Sequence, residues 1–321
     1  MTFAGSPERA EARLVPEAGY ELDTFVVRGL PRRPGLAFLR AAWLAARAPL
    51  RCRAILERRA PDVVLGGGGF VAGPMVLAAW TRRIPAALTE ADAHLGLANR
   101  LAAPFARRIF TAYPLGLGAK ERVVGRPVPA RGAPIDRVQA RLELGLPKEG
   151  PVLLVAGALA GARSLNEAAV DAFAAAGPAV LHLTGERDHM FVRSRVKRAD
   201  YVVLPSVERY GVALSAADVA LTRAGGSVWE LAAAGVPAVL VPYPHATGDH
   251  QTKNARHFER AGGAVVVPDH ELTRAIDVAR SLIGDERRRT QMRAAMLRAA
   301  RPDAADVIAE ELIELAGTAR R

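Results

Sequence analysis

The chain has 321 residues, half of them hydrophobic, which suffices for about two domains of ordinary size and argues against a disordered protein. Its single cysteine, Cys52, excludes an internal disulfide framework and fits a reducing compartment. The formal net charge of +11 raises the question of an anionic partner.

The opening residues 2–22 predict the tail of a strand, a loop and a helix. A doubly wound domain normally starts with its central strand, so we expect the first domain to be incomplete at its start. The N-terminus turns polar after a few residues, which is unlike a secretory signal, and apolar runs elsewhere are shorter than the roughly 18 residues that cross a bilayer. We therefore expect a soluble or peripheral protein.

A basic segment follows at residues 31–60, which holds eight arginines and one acid, Glu57. Large apolar residues such as Trp43 alternate with the arginines, a mixture that favours a helical surface resting on anionic lipid. The alternatives are a solvated arginine-rich face and a nucleic-acid surface, for which no fold signature is present. Pro49 predicts two short helices or one kinked helix.

Beyond the basic segment, short apolar runs alternate with alanine-rich windows, the pattern of parallel strands buried on both faces of a doubly wound α/β sheet. Residues 123–136 break this pattern with prolines and glycines and predict a linker. We expect two Rossmann-like domains, at residues 1–130 and 131–300, and a helix at residues 301–321 that could dock on the first domain. The predicted strands are residues 62–66, 85–89, 108–113, 151–157, 179–185, 201–205, 219–223, 237–243 and 264–268.

Glycine-rich turns follow predicted strands at residues 65–74, 155–166 and 222–230. In open α/β sheets, ligands bind beyond the carboxyl ends of the strands, where glycine lets backbone N–H groups approach a phosphate and the helix dipole favours its charge. Glycine also serves ordinary strand-to-helix turns, but this recurrence favours an anionic, nucleotide-like ligand. Neither the P-loop nor the G-x-G-x-x-G dinucleotide pattern is present, which disfavours hydride transfer.

The third turn leads into Glu230, whose carboxylate admits two roles. With Ser227 three residues earlier, it has the spacing of a capping box, a local device that closes the first turn of a helix. It is also placed to accept two hydrogen bonds from a ribose diol. After the next strand, residues 242–255 supply Gln and Asn amides that suit the hydroxyls of a sugar. Their histidines and aspartate make a metal site the rival, but the spacing matches no standard zinc pattern, and we expect no metal or cofactor.

Several segments occur in an order that is typical of one group of enzymes: PDVVLGGGGFVAGP, GRPV, GARSLN, RAGGSVWELAAAG and DHQTKNA. In this order they resemble the MurG family, the UDP-N-acetylglucosamine transferases that convert lipid I to lipid II in peptidoglycan synthesis. The resemblance runs over nearly the whole chain. It implies an α/β protein of the GT-B fold, in which two Rossmann-like domains turn parallel sheets toward a central cleft. The first domain would lack its opening strand and the following Gly-Gly-Thr-Gly-Gly-His loop.

The resemblance also implies roles for individual residues. Glu230 matches the glutamate that holds the uridine ribose hydroxyls, and residues 226–229 match the turn that lines the phosphates and ribose. Val207 falls where a backbone contact to uracil is expected, and Gln251 with Asn254 matches the amides that read the N-acetylglucosamine hydroxyls. The expected substrate-binding residues are Asp92, Ala158, Val207, Arg223, Gly226, Ser227, Val228, Trp229, Glu230, Gln251 and Asn254.

The chain departs from the family pattern mainly at phosphate and acceptor contacts. Residues 89–92 read Thr-Glu-Ala-Asp where the family has His-Glu-Gln-Asn, Ala158 replaces a phosphate-contacting serine, and Pro129 replaces an arginine. The turn at residues 66–70 resembles an acceptor-side loop. We name no general base, because Asp92 and the nearby His94 are more typical of capping or solvated residues.

The function implied by the resemblance is inverting transfer of N-acetylglucosamine from UDP-N-acetylglucosamine to the 4-hydroxyl of lipid I, without a cofactor. The enzyme would act as a peripheral protein on the cytoplasmic face of the cell membrane, in cell-wall synthesis that supports cell shape and division. The partners would be the nucleotide sugar, the lipid-linked acceptor and, through residues 31–60, anionic lipid, with no nucleic acid. Two alternatives stay open: a non-catalytic UDP-sugar-binding or membrane-partner protein, and a related transferase with another glycolipid acceptor.

Overall fold

The structure, a computed structural model, describes residues 1–27, 35–157 and 161–319. Each of the nine strands predicted from the sequence is present. The strands are β1 (Phe3–Gly5), β2 (Leu22–Thr24), β3 (Val64–Gly66), β4 (Ala86–Glu90), β5 (Arg108–Thr111), β6 (Glu121–Val123), β7 (Val152–Ala156), β8 (Ala179–Leu183), β9 (Tyr201–Leu204), β10 (Val219–Thr222), β11 (Ala238–Leu240) and β12 (Ala264–Val266). The helices are α1 (Glu11–Glu17), α2 (Leu36–Arg59), α3 (Gly69–Thr81), α4 (Leu97–Ala102), α5 (Arg137–Glu143), α6 (Arg163–Phe173), α7 (His189–Arg195), α8 (Tyr210–Ala216), α9 (Val228–Ala234), α10 (His250–Arg260), α11 (Leu272–Gly284), α12 (Glu286–Ala299) and α13 (Ala304–Ala319).

The chain folds into two compact units. The first unit comprises Met1–Ala91, Leu95–Val124 and Asp306–Arg321, and the second comprises Asp92–His94 and Gly125–Ala305. In sequence, the main part of the second unit, Gly125–Ala305, therefore lies between two pieces of the first.

The second unit is built on a six-stranded sheet with the order β12-β11-β10-β7-β8-β9, in which all neighbours are parallel. In β7 the successive residues Leu153 and Leu154 are both fully buried, and Leu154 pairs with the equally buried Ala220 of β10. Because successive side chains of a strand point to opposite faces, both faces of the sheet must be covered by other elements. This explains why the strands read as continuous apolar runs.

The first unit contains a four-stranded parallel sheet, β3-β4-β5-β6, and a separate parallel pair, β1-β2. The strand and helix predicted for residues 2–22 are present as β1 and α1. β2 and β6 escape prediction because each has only three residues and contains charged side chains, so neither gives a periodic apolar signal.

Most of α13 belongs to the first unit, although it follows the second unit in sequence. Ile308 and Leu315 of this helix pack with Ala87 of β4 and Phe110 of β5 in one buried cluster. At the rim of this cluster, Glu311 accepts a hydrogen bond from Nε of Arg108, at 3.2 Å. Through these contacts α13 covers part of the first sheet.

Within the basic segment, residues 36–59 form one helix, α2, with Pro49 inside it, so of the two predicted alternatives, two short helices or one kinked helix, the first is wrong. Proline costs a helix about 3 kcal/mol through its missing N–H and its steric clash. Here the turns on either side of Pro49 bury Ala48, Cys52, Ile55 and Leu56 in the core of the first unit, and this burial holds the helix together. In the described residues, no helix combines the length and the apolar character that a membrane span needs.

A fully buried arginine, Arg141 of α5, fixes the start of the second unit. Its Nη2 donates to Oδ2 of Asp218 at 2.9 Å, and its Nε donates to the carbonyl of Ala216 at 3.2 Å. Its Nη1 lies 2.9–3.2 Å from three carbonyls of the loop at residues 147–150. Burial lowers the pKa of this guanidinium, and Asp218 opposes that shift. One side chain therefore ties α5, the loop before β7 and the residues before β10 together.

Candidate functional site

The carboxyl ends of the strands bring the predicted site segments of the second unit to one edge of its sheet. β10 lies between β7 and β11, and all three strands run in the same direction. The loops that follow them therefore leave the sheet at the same edge, which is where open α/β sheets bind their ligands. This edge is the candidate site of the second unit.

The helix after β10 begins at Val228, with Ser227 as its N-cap residue. The backbone of Ser227 is helical, with φ −62° and ψ −11°, and its side chain makes no capping hydrogen bond. Capping by a serine hydroxyl needs an extended backbone at the N-cap, so the predicted capping box of Ser227 and Glu230 is wrong. The carboxylate of Glu230 is not used to close the helix.

Glu230 is half-buried and, among the described residues, makes no hydrogen bond or ion pair. Burial raises the pKa of its carboxyl, whereas the nearby charges of Arg126 and Arg131 act in the opposite direction. A Cβ added at Gly132 would lie 2.7 Å from Oε1 of Glu230, so glycine leaves the room that the carboxylate occupies. A half-buried carboxylate with unused lone pairs can accept hydrogen bonds from the hydroxyls of a ligand.

The turn before Glu230 is covered by Arg126, which is absent from the residues predicted from the sequence. A Cβ added at Gly226 would lie 1.8 Å from Nη1 of Arg126, so the guanidinium occupies space that only a glycine leaves open. Arg126 is half-buried, and no hydrogen bond joins it to another residue in the described parts of the chain. The sequence signal that could have found it is its place in the GRPV segment. Arg126 lies three positions before Pro129, which stands where the family resemblance leads one to expect an arginine.

The side chain of Gln251, at the start of α10, bridges two neighbouring loops. Its Oε1 accepts hydrogen bonds from the N–H groups of Ala224, at 3.2 Å, and Tyr243, at 2.9 Å. The Nε2 group has no acceptor within the residues that the structure describes. Gln251 can therefore offer its amide N–H groups to a ligand while its oxygen holds the loops after β10 and β11.

Asn254 lies one turn further along α10 and is fully buried. Its Oδ1 accepts from the N–H of Ala93 at 2.8 Å, and its Nδ2 donates to Oδ1 of Asp92 at 3.1 Å and to the carbonyl of Ala224 at 3.2 Å. The structure thus brings together two residues predicted to bind substrate, Asn254 and Asp92, by a direct hydrogen bond. Since its amide is already satisfied, direct sugar recognition by Asn254 stays a prediction.

The guanidinium of Arg223, predicted to bind substrate, is buried and engaged by the protein. It donates to Oδ1 of Asp269 at 2.7 Å and to Oγ of Ser164, in the first turn of α6, at 2.9 Å. It also donates to the carbonyls of Val241 and Pro242, at 3.2 and 3.3 Å. These contacts join the ends of β10 and β11 to α6, and a direct contact of Arg223 with substrate stays a prediction.

A second buried network holds α6 from its other side. Oδ1 of Asn166 lies 3.0 Å from Nε2 of His182, and Nδ1 of His182 lies 2.9 Å from the Tyr201 hydroxyl. Nδ2 of Asn166 donates to the carbonyl of Thr184 and to the carboxylate of Asp188. Burial lowers the pKa of His182 to about 3, so the ring is neutral, and the donors and acceptors match if Nε2 carries the proton. α6, which follows the glycine-rich turn after β7, is therefore rigidly placed.

The other residues predicted to bind substrate differ in exposure. Val228 and Trp229 are buried, so only their backbone is available to a ligand, whereas Ser227 is half-buried. Val207 is half-buried in the loop after β9. Ala158 lies outside the described residues. Contacts of these residues with a substrate stay predictions.

The first unit has a cavity of about 310 Å³ at the carboxyl ends of β3 and β4. The glycine-rich turn at residues 67–70 forms one wall, and Gly68 and Gly69 have φ values of +89° and +69°, which favour glycine. On the other wall, Nδ2 of the buried Asn99 donates to Oε2 of Glu90 at 3.0 Å, while Oδ1 of Asn99 has no partner in the described residues. Backbone N–H groups at the start of α3 suit an anionic group of a ligand, and the unused amide oxygen suits a hydrogen-bond donor of the same ligand.

No general base emerges from the residues that the sequence offers. His94 packs against Gly248, where an added Cβ would lie 2.7 Å from its Nε2, and Asp92 is bonded to Asn254. Within the described residues, no group of three or more histidine, cysteine, aspartate or glutamate side chains is placed to hold a metal ion.

Comparisons with known proteins agree with this geometry. Residues 2–111 match the model of the glycosyltransferase family 28 N-terminal domain, and residues 152–308 match that of the C-terminal domain. A UDP-N-acetylglucosamine–N-acetylmuramyl-(pentapeptide) pyrophosphoryl-undecaprenol N-acetylglucosamine transferase of Acidithiobacillus ferrooxidans is 41% identical, over 99% of this chain and 90% of its own. The protein of the same description from Nocardia farcinica is 40% identical, over 98% of this chain and 88% of its own. The crystal structure of Acinetobacter baumannii MurG superimposes with a TM-score of 0.79 at 27% identity, covering 98% of this chain and 90% of that one.

Proposed function

This chain belongs to the MurG family within glycosyltransferase family 28, and from that membership we propose that it transfers N-acetylglucosamine from UDP-N-acetylglucosamine to the 4-hydroxyl of lipid I, giving lipid II. The reaction inverts the configuration at the anomeric carbon. The observation that carries this proposal beyond family membership is the half-buried carboxylate of Glu230, which no residue of the described chain engages.

The second unit binds the donor nucleotide at the carboxyl edge of its sheet. Glu230 accepts hydrogen bonds from the ribose hydroxyls, and the turn at residues 225–227 lies along the phosphates. Gln251 offers its amide N–H groups to the sugar, while Asn254 and Arg223 support the loops around it. This assignment is supported by the unused acceptors of Glu230 and by the buried networks that fix α6 at that edge.

In the transfer step, the acceptor hydroxyl attacks the anomeric carbon from the face opposite UDP. The bond between that carbon and the diphosphate oxygen breaks, its electron pair goes to the diphosphate, and the hydroxyl proton leaves to a base. Backbone N–H groups of the glycine-rich turns and the first turn of α6 stabilise the charge that develops on the leaving diphosphate. The rigid attachment of α6 supports this role, because such stabilisation depends on donors that do not have to reorient.

The acceptor binds to the cavity of the first unit. The diphosphate of a lipid-linked acceptor would meet the N–H groups at residues 67–70, and Asn99 would meet a hydroxyl or amide of the sugar. Support comes from the positive φ values of Gly68 and Gly69, which expose the backbone, and from the unpartnered Oδ1 of the buried Asn99. In this proposal the acceptor site is formed by residues of the first unit, without residues 92–94.

Radiolabelled UDP-N-acetylglucosamine tests the proposed function directly. We expect the label to appear in butanol-extractable lipid when lipid I in detergent is supplied, and little transfer when UDP-glucose replaces the donor. Binding of the donor without transfer to any lipid would favour a non-catalytic UDP-sugar-binding protein. Transfer to a different glycolipid but not to lipid I would favour the related transferase. A protein that does not bind UDP-N-acetylglucosamine would contradict the proposal.

The first unit also carries the proposed membrane surface, on the solvent side of α2. Leu36, Trp43 and Leu50 are exposed, at 86%, 56% and 68%, and the guanidinium of Arg47 lies over the Trp43 ring. The positive charge is lower than the composition implies, because the arginines at the end of the helix are paired with acids of the same unit. These pairs join Arg58 and Arg59 to Asp23, Arg59 to Glu21, and Arg53 to Glu57.

Charge reversal at Arg47 and Arg51 tests this surface, because in the described residues neither arginine forms an ion pair. The double variant R47E/R51E should bind vesicles of phosphatidylcholine and phosphatidylglycerol at least about tenfold more weakly, since each basic residue near anionic lipid contributes about 1 kcal/mol. Co-sedimentation at two salt concentrations measures the effect. R274E/R280E, which reverses two exposed arginines of the second unit, is the matched control and should bind normally. Equal losses in both variants would exclude a specific surface on α2.

We place the enzyme on the cytoplasmic face of the cell membrane as a peripheral protein. The nucleotide sugar is a cytoplasmic substrate and the acceptor is lipid-linked, so the reaction has to occur where both are present. In this location it would contribute to peptidoglycan synthesis and, through the cell wall, to cell shape and division.

A further inference from the structure

We infer that Arg126 binds the diphosphate of the donor nucleotide, as the cation of the second unit's site. The inference rests on the proposed function, because it assigns a new residue to the same site. It goes beyond the sequence resemblance, in which Arg126 has no assigned role and the phosphate contacts are reduced at Ala158 and Pro129.

The first reason is the position of the guanidinium. Arg126 lies directly over Gly226, in the turn between β10 and α9, at a place that the absence of a Cβ keeps open. By contrast, a Cβ added at the neighbouring Gly225 would have no heavy atom within 4 Å, so the turn is open on that side. A ligand that reaches the backbone of this turn therefore meets the guanidinium of Arg126 as well.

The second reason is that the guanidinium is not used by the protein. Arg126 is half-buried, yet in the described parts of the chain it has no hydrogen-bond or ion-pair partner. Arg141 and Arg223 differ in this respect, because carbonyls and a carboxylate accept hydrogen bonds from each of their guanidinium groups. The planar guanidinium matches the geometry of phosphate oxygens and can bind them by two parallel hydrogen bonds.

The third reason is the relation of Arg126 to Glu230. The charge of Arg126 lowers the pKa of the Glu230 carboxyl, so the two groups are close enough to interact, yet no ion pair joins them in the described residues. Two half-buried, oppositely charged groups that stay apart are suited to different parts of one ligand. Glu230 suits hydroxyl donors and Arg126 suits an anion, and a nucleoside diphosphate carries both within a few bonds.

The variant Arg126→Gln, tested with both UDP and uridine, distinguishes the binding of the diphosphate from the binding of the nucleoside. We expect UDP to bind about 10- to 100-fold more weakly to the variant, the usual cost of losing charge-assisted hydrogen bonds, and uridine to bind within about twofold of wild type. Calorimetry measures both affinities for wild type and variant under the same conditions. Arg126→Lys should show an intermediate loss, because an ammonium keeps the charge without the two parallel bonds.

Arg131→Gln is the matched control, because Arg131 also acts on Glu230 electrostatically but is exposed. We expect this variant to bind UDP within about threefold of wild type, as is usual for an exposed charge. The inference is overturned if Arg126→Gln binds UDP as tightly as wild type, if it loses affinity for UDP and uridine equally, or if Arg131→Gln loses more. If instead the wild-type protein binds neither probe, the proposed function itself fails, and the two failures remain distinguishable.

Discussion

Glu230→Ala is expected to lower the affinity for UDP-N-acetylglucosamine about 100-fold, and kcat/KM with it. The carboxylate has no hydrogen-bond partner among the described residues, so the two ribose hydroxyls would be its main donors. Hydrogen bonds to a charged group contribute about 1.5–3 kcal/mol each, and a combined loss of about 3 kcal/mol corresponds to about two orders of magnitude. Calorimetry with the nucleotide sugar and initial-rate kinetics would measure the two losses.

UDP that lacks the 2′-hydroxyl identifies the interaction that is lost. Wild type should bind this analogue about tenfold more weakly than UDP, whereas the Glu230→Ala variant should scarcely distinguish them, because the bond is already missing. Glu149→Ala, at an exposed position of the same unit, serves as a control that should leave binding unchanged. If Glu230→Ala binds UDP-N-acetylglucosamine undiminished, the donor site is wrongly placed.

Glu230→Gln keeps the shape of the side chain and removes its charge. Because burial raises the folded-state pKa of Glu230, the group favours folding most at low pH, and this contribution is lost as the pH rises through that pKa. Above that pKa the buried charge therefore opposes folding. We expect the ligand-free Glu230→Gln protein to melt at no lower temperature than wild type while binding UDP weakly. Such a result would separate the loss of binding from any loss of structure.

Arg141→Met is expected to destabilise the second unit by about 3–5 kcal/mol, the usual cost of removing one partner of a buried ion pair. The substitution leaves Asp218 without its buried partner and four carbonyls without a donor. For a domain of this size, the loss corresponds to a fall of roughly 10 °C in Tm. Urea unfolding would give the free energy, and amide exchange over β7 would show that the loss is centred there.

Arg137→Met is the matched control, because Arg137 pairs with the same Asp218 at 2.7 Å, but its side chain is 48% exposed. Because the guanidinium of Arg137 is half exposed to solvent, we expect its pair with Asp218 to contribute about 1 kcal/mol or less, so the control should be nearly as stable as wild type. Arg141→Lys should not restore stability, since one ammonium cannot reach acceptors in three directions. Equal losses in the two arginine variants would mean that the buried network contributes nothing particular to stability.

The family and the fold class predicted from the sequence are confirmed. The strands of the second unit were predictable because strands buried on both faces must be apolar throughout, and such runs stand out against alanine-rich helices. The strands β2 and β6 were not predictable, because each has only three residues, some of them charged, and so gives no periodic apolar signal. Local sequence patterns therefore identified those strands whose burial in the folded protein also requires apolar side chains.

The site was less predictable than the fold, since it depends on which groups find partners. Ser227 and Glu230 have the spacing of a capping box, yet the helical backbone of Ser227 prevents it. Asn254 and Arg223 look like ligand-binding residues, but partners distant in sequence engage them. The reverse holds for Arg126, an ordinary arginine in a proline-rich linker, which becomes notable only because Gly226 leaves a place for it. None of these pairings follows from sequence spacing.

The return of α13 to the first unit constrains the order in which the protein can fold during synthesis. Arg108 and Glu311, which hydrogen-bond to each other, are separated by 203 positions, and the main part of the second unit, Gly125–Ala305, is translated between them. The strands of the first unit emerge from the ribosome before most of the second unit, but their sheet stays uncovered at Ala87 and Phe110 until α13 has been made. The portion synthesised earliest is thus completed latest, and a nascent chain stalled before α13 would expose an apolar patch for chaperones to shield.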